Sequence, residues 1–173
     1  MPRVLVREKA AVRTHRCIYP HLPVASRFGG LERSAMETTL DGSPEVLASC
    51  KVQKQHNLTI LYRDENGLMR TYEVDFVCRT AERCYLLETK STKDLALPNV
   101  AVKVRAAHQW RKSVAGVRPP PDTEQPDQWE CFCCSTRNTY AANTGASFAA
   151  LRPLMRQVRD QLIAEWFRSA LFT

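Results

Sequence analysis

Residues 68–77 and 83–90 each read as a strand in which apolar and polar positions alternate about Tyr72–Phe76 and Tyr85–Lys90, separated by the short polar link Thr80-Ala81-Glu82-Arg83. Alternation with a period of two marks a strand with one buried face. A link this short closes a hairpin. In the first strand Tyr72, Val74 and Phe76 alternate with Glu73 and Asp75; in the second, Tyr85 and Leu87 alternate with Glu88 and Lys90. With the turn centred between Ala81 and Glu82, antiparallel pairing sets Asp75 opposite Glu88, Val77 opposite Leu86 and Glu73 opposite Lys90. Directly opposed side chains share a face, with Cβ atoms roughly 5 Å apart. One face then carries a core of Tyr72, Val74, Phe76, Tyr85 and Leu87, and the other gathers Glu73, Asp75, Glu88 and Lys90. A slip of one residue would scatter both sets, so the apolar and charged patterns support one register.

The remaining elements follow from the same reading. A first helix is predicted over 31–40, stopped by Asp41-Gly42-Ser43-Pro44, with a further short helix over 44–49. A strand over 58–62 leads into Asp64-Glu65-Asn66-Gly67, which carries the Asn-Gly hairpin signal. Residues 98–114 read as a helix with Val100, Val104, Ala107, Trp110 and Val114 on one stripe. A stiff, proline-rich polar loop from Val117 to Asp127 separates it from a strand over 129–135. Pro153 suits the first turn of a last helix whose inward face is Leu154, Val158, Leu162 and Trp166. Residues 1–27 are basic and broken by Pro2, Pro20 and Pro23, an N-terminal arm or edge segment ahead of a domain over 28–173. The fold class expected is α/β with an α+β character: a central mixed sheet of about four to five strands flanked by helices.

Acids in the middle of strands are costly to bury unless something compensates them. Two carboxylates aimed at one point repel unless a cation lies between them, which is how proteins hold a divalent metal with oxygen ligands. The alternative is a solvated sheet face with a Glu73–Lys90 cross-strand pair.

Val74-Asp75-Phe76 followed by Glu88-Thr89-Lys90 on the next strand resembles the signature of the PD-(D/E)xK nuclease superfamily. Val74 stands at the proline position, which only shapes the strand. The segment Lys103-Val104-Arg105-Ala106-Ala107-His108-Gln109-Trp110 resembles the Lys-x-x-Ala-Ala-x-x-Trp helix of the restriction subunit of type III restriction enzymes. Phe28-Gly29-Gly30-Leu31-Glu32 resembles the start of that subunit's first nuclease helix, and Gly145-Ala146-Ser147-Phe148 its closing Gly-x-Ser-Phe segment. The resemblance spans residues 28–155. It implies a restriction-endonuclease-like core and Mg²⁺, replaceable by Mn²⁺, held by Asp75, Glu88 and the Thr89 carbonyl. Lys90 is then the catalytic lysine, and Glu32 contacts the ion through water, with Glu37 as the alternative to it. Lys103, Arg105 and Arg111, with Lys112, crowd this helix with positive charge and read as candidate DNA contacts; the resemblance has Lys103 steadying a phosphate, and a lysine that merely snorkels along the helix is the other reading of that position. The restriction subunit carries an ATP-driven translocase, whereas this chain has no Gly-x-x-x-x-Gly-Lys-Ser/Thr loop. A lone nuclease domain, a remnant, or the partner of a separately encoded ATP-dependent translocase or modification subunit is therefore expected.

Lys and Arg number 25 against 18 acids in 173 residues, a net charge of +7. This suits a polyanionic partner such as DNA without requiring one. Arginines 152, 156, 159 and 168 crowd the last helix and read as candidate phosphate contacts. No apolar run is long enough to cross a bilayer and the N-terminus lacks a signal-peptide core, so no membrane partner and a cytoplasmic location are expected. There the seven cysteines should be thiols. Cys131 and Cys134 have the spacing of a zinc pair but no second pair accompanies them, so the cysteines read as core residues. The function expected is Mg²⁺-dependent endonucleolytic hydrolysis of DNA, within or derived from a type III restriction system. The alternative is an inactive DNA- or partner-binding module of the same fold.

Overall fold

The computed structural model describes residues 11–23, 30–115, 117, 128–135 and 145–170. Phe28, Gly29, most of the proline-rich loop, residues 1–10 and the side chains of Cys133 and Cys134 lie outside the described residues. The chain is mixed α/β, built on a four-stranded mixed sheet with helices around it. A short hairpin, β1 (Ala11–Arg13) and β2 (His21–Pro23), precedes helix α1 (Leu31–Ser34), which continues as π-helical turns over Ala35–Leu40. Next come β3 (Ala48–Lys51), the hairpin β4 (Ile60–Arg63) and β5 (Met69–Tyr72), then β6 (Phe76–Arg79) and β7 (Cys84–Lys90). They are followed by the short α2 (Thr92–Leu95), α3 (Pro98–Val114), β8 (Trp129–Ser135) and α4 (Phe148–Ala170). The central sheet has the order β3-β6-β7-β8; the first two pairings are antiparallel and β7–β8 is parallel.

The β6–β7 hairpin has the register expected from alternation: Val77 pairs with Leu86 and Phe76 with Leu87. The Thr80 amide donates to the Arg83 carbonyl at 2.9 Å and closes the turn around Ala81 and Glu82. The expected continuous strand over 68–77 is instead two strands, interrupted at residues 73–75. β5 pairs with β4, whereas β6 pairs with β3 and β7. Glu73 therefore does not face Lys90 in a ladder. The interruption also divides the expected core face. Phe76, Tyr85 and Leu87 pack with Met36, Leu40, Phe148 and Leu151. Tyr72 and Val74 join Ile60, Leu86, Ala106 and Ala107 in a second core against α3. Both sides of the sheet are thus covered, and each core needs its own apolar residues from this segment.

Three further expectations are corrected. Residues 44–49 form no helix; Ala48–Lys51 is strand β3, too short and too polar to show a period. The last helix begins at Phe148, not near Pro153, because two remote side chains cap it. Ser43 Oγ accepts from the Phe148 amide at 2.6 Å and Glu45 accepts from Ala149, satisfying amides that a helix start leaves unpaired. In that setting Leu151, Met155, Arg159 and Leu162 face inward while Leu154 is 39 % exposed. Among the described residues no helix is long and apolar enough to cross a membrane.

Candidate active site

The C-terminal end of β7 brings the candidate residues together. The β6–β7 ladder stops at Phe76–Leu87, and the chain turns away at residues 73–75. Two residues further along β7, the Thr89 amide has no β6 carbonyl to bond. It donates instead to Asp75 Oδ2 at 2.7 Å, and the Thr89 hydroxyl donates to the same oxygen at 2.6 Å. A strand interruption thus becomes a bracket for an acid, since a buried amide must find an acceptor somewhere.

Glu88 and Lys90 point to the α3 side of the sheet. The Lys90 ammonium donates to Glu88 Oε1 and, at 3.1 Å, to the Thr89 carbonyl. Glu88 is buried, and its Oε2 has no hydrogen-bond partner. Burial pushes the Glu88 carboxyl up to about 7, the nearby Asp75 charge adds to the rise, and Lys90 and Lys103 oppose it. Burial together with a like charge is the usual origin of such a rise.

Asp75, Thr89 and Lys90 line a cleft of about 440 Å³ that also includes Glu32, Asp94 and Lys103. Glu88 lines a small apolar recess next to it, and Lys90 and Lys103 border both. Lys103 lies 5.8 Å from the ring centres of both Tyr62 and Tyr72, and Tyr72 donates its hydroxyl to the Lys103 carbonyl at 3.0 Å. Two neighbouring rings, their centres 5.9 Å apart, hold the ammonium at the cleft wall.

The other site candidates are placed differently. Glu32 reaches the cleft but is ion-paired with Lys51, while Glu37 forms a surface pair with Arg33 at 3.4 Å. Arg105 stacks on Trp166 of α4 at 3.6 Å from the ring centre, away from the cleft. Arg111 lies beyond the cleft, with its Nε buried and unbonded. Three arginines of α4 have internal partners. Arg152 donates to the Tyr85 hydroxyl at 2.9 Å, and Arg156 and Arg159 donate to Glu130. Lys51, which also lies 5.5 Å from the Phe76 ring centre, and the Thr89 hydroxyl are site features that sequence reading missed. Position 89 was flagged for its carbonyl alone; Lys51 has no local signal.

Among the described residues no three His, Cys, Asp or Glu side chains gather as a metal-binding group. The candidate ligands are two carboxylates, Asp75 in the cleft and Glu88 in the recess next to it, and the Thr89 main-chain carbonyl. This set does fit a hard divalent cation, which takes oxygen ligands. Glu88 Oε2 is an orphaned buried acceptor, and Glu88 Oε1 and the Thr89 carbonyl already meet at one cation, the Lys90 ammonium. Cys78, Cys84 and Cys131 are buried thiols, with burial raising the Cys131 thiol to about 11.

In comparisons with known proteins the chain matches no protein-family model, no curated protein and no solved structure.

Proposed function

We propose that this chain is a metal-dependent DNA endonuclease with a restriction-endonuclease-like core, within or derived from a type III restriction system. The observation that carries the reading is the end of β7: a buried glutamate with an unbonded oxygen, a main-chain carbonyl and a lysine ammonium meet beside a bracketed aspartate. The mixed four-stranded sheet with helices around it is compatible with that core. Asp75, Glu88 and the Thr89 carbonyl would hold Mg²⁺ or Mn²⁺. When bound, the ion supplies Lewis-acid activation of the scissile phosphate and of water.

The chain's own groups do the rest. Lys90 gives up its contacts with Glu88 Oε1 and the Thr89 carbonyl and turns toward the attacking water, which it orients as an ammonium, or whose proton it accepts as a neutral amine after releasing its own proton to solvent. Lys103 at the cleft wall offsets charge on the phosphate. Glu32, balanced by Lys51, supports the outer edge of the site. The cleft accommodates a DNA backbone, and a separately encoded ATP-dependent translocase or modification subunit would deliver it.

The test is plasmid cleavage with Mg²⁺ or Mn²⁺, with and without a neighbouring motor protein. Asp75→Ala and Glu88→Ala should each abolish cleavage while circular dichroism stays native. Cleavage retained by either purified variant would refute the assignment. Salt-sensitive DNA binding with no cleavage and no ion uptake by the wild type would make the chain a binding module instead.

A further inference from the structure

We propose that the Thr89 side chain is a positioning residue for the ion site: its hydroxyl and amide together hold one oxygen of Asp75 and orient the other for a divalent cation. This rests on the nuclease reading above, which uses only the Thr89 carbonyl. Both donors converge on Oδ2, at 2.6 Å and 2.7 Å, and Oδ1 is left without a protein partner among the described residues.

One donor would tether the carboxylate and leave it free to rotate. Two donors from one residue on the same oxygen restrict that rotation. The arrangement is needed here because Asp75 lies in the interruption between β5 and β6, where no ladder stiffens its backbone on the β7 side. Thr89 is itself buried on the central strand β7, and its branched Cβ restricts rotation of the hydroxyl. The rigid strand therefore disciplines the irregular one. Thr89 is then tripartite: amide and hydroxyl set Asp75, and the carbonyl, which now accepts from the Lys90 ammonium at 3.1 Å, would face the ion. Partners that orient a metal ligand typically matter by about 10–100-fold in metal affinity.

The experiment measures Mn²⁺ binding to the full chain without DNA, by isothermal titration calorimetry and by electron paramagnetic resonance of the free ion. Wild type is compared with Thr89→Val, which keeps the shape and removes the donor, and with Thr89→Ser, which keeps the donor. Thr89→Ala provides a second hydroxyl-free variant should valine impair folding, and thermal melts report folding for each. The expected result is a loss of about 10–100-fold in Mn²⁺ affinity for valine and alanine, with serine near wild type. In cleavage, the hydroxyl-free variants should need more Mg²⁺ for half-maximal rate yet approach the wild-type rate at saturation. Wild-type Mn²⁺ affinity in a folded Thr89→Val protein overturns the inference and leaves the nuclease reading standing. So does a serine variant impaired as much as valine, which would make the role one of shape. No ion uptake by the wild type overturns both.

Discussion

Glu88 and Glu130 are buried glutamates on neighbouring parallel strands, and their surroundings are opposites. Glu130 on β8 receives Arg156 at 2.9 Å and 3.2 Å, Arg159 at 3.3 Å and Arg83 at 3.4 Å, so both its oxygens are bonded. Burial works against its charge, but Arg156 and Arg159 outweigh burial and hold the carboxyl below its ordinary value. Glu88 on β7 has one lysine on one oxygen, nothing on the other and a second acid nearby, and its carboxyl rises to about 7. The first is a saturated knot joining α4 to the sheet. The second is under-satisfied in the way that a cation would relieve. Burial alone does not separate a structural acid from a functional one; the count of satisfied oxygens and the sign of the neighbouring charge do.

The largest effect that separates the two regions is on catalysis. Lys90→Met should lower cleavage by about 10²–10⁴-fold, the range of a lost proton-transfer group, while Mn²⁺ binding stays as tight or tightens because the ammonium no longer occupies the carbonyl and carboxylate. Calorimetry showing weaker Mn²⁺ binding in this variant would contradict the exchange of ammonium for ion.

Next is stability at the saturated site. Glu130→Ala takes one carboxylate from Arg159, which is only 7 % exposed and keeps Asp160 at 2.8 Å and the Cys131 carbonyl at 3.2 Å, and should cost about 1.5–3 kcal/mol in urea unfolding. A cost near zero would mean that Glu130 is no knot.

The pH dependence of Glu88 should run the other way. Its carboxyl titrates near its ordinary 4.5 in the unfolded chain and near 7 in the fold. Between those values the native state holds a proton that the unfolded state has lost, so stability falls as pH rises through the window and stays lowered above it. Glu88→Gln carries no such penalty. It should exceed wild type by roughly 1–3 kcal/mol above pH 7 and match it below pH 4.5, read from melting curves without divalent ions. A variant less stable than wild type at pH 8 would show that Glu88 is satisfied after all.

The smallest effect distinguishes two cations of α3. Lys103→Ala should weaken DNA binding and reduce its salt slope by about 1, measured by fluorescence anisotropy. Arg105→Ala should leave both unchanged and cost about 0.5–1 kcal/mol of stability through its lost stack on Trp166. Equal effects on DNA from the two would erase the distinction between cleft and helix packing.

The amino-acid sequence determined the β6–β7 register, helix α3 and strand β8, because alternation, a helical apolar stripe and an apolar, cysteine-rich run are each local patterns long enough to specify an element. Glu88, Thr89 and Lys90 were legible for the same reason: their neighbours fix where the strand ends. Tertiary structure decided the rest. Residues 68–77 alternate like one strand, yet two cores on opposite sides of the sheet claim Val74 and Phe76, and the chain must turn over between them. The start of α4 depends on Ser43 and Glu45, more than a hundred residues away in sequence. Arg152, Arg156 and Arg159 of α4 read from sequence as candidate phosphate contacts, and only the fold gives them Tyr85 and Glu130 as partners. Alternation records that a residue will be buried, but not against what. Partners far along the chain supply that, and they decided which acids are satisfied and which one is left with an open oxygen.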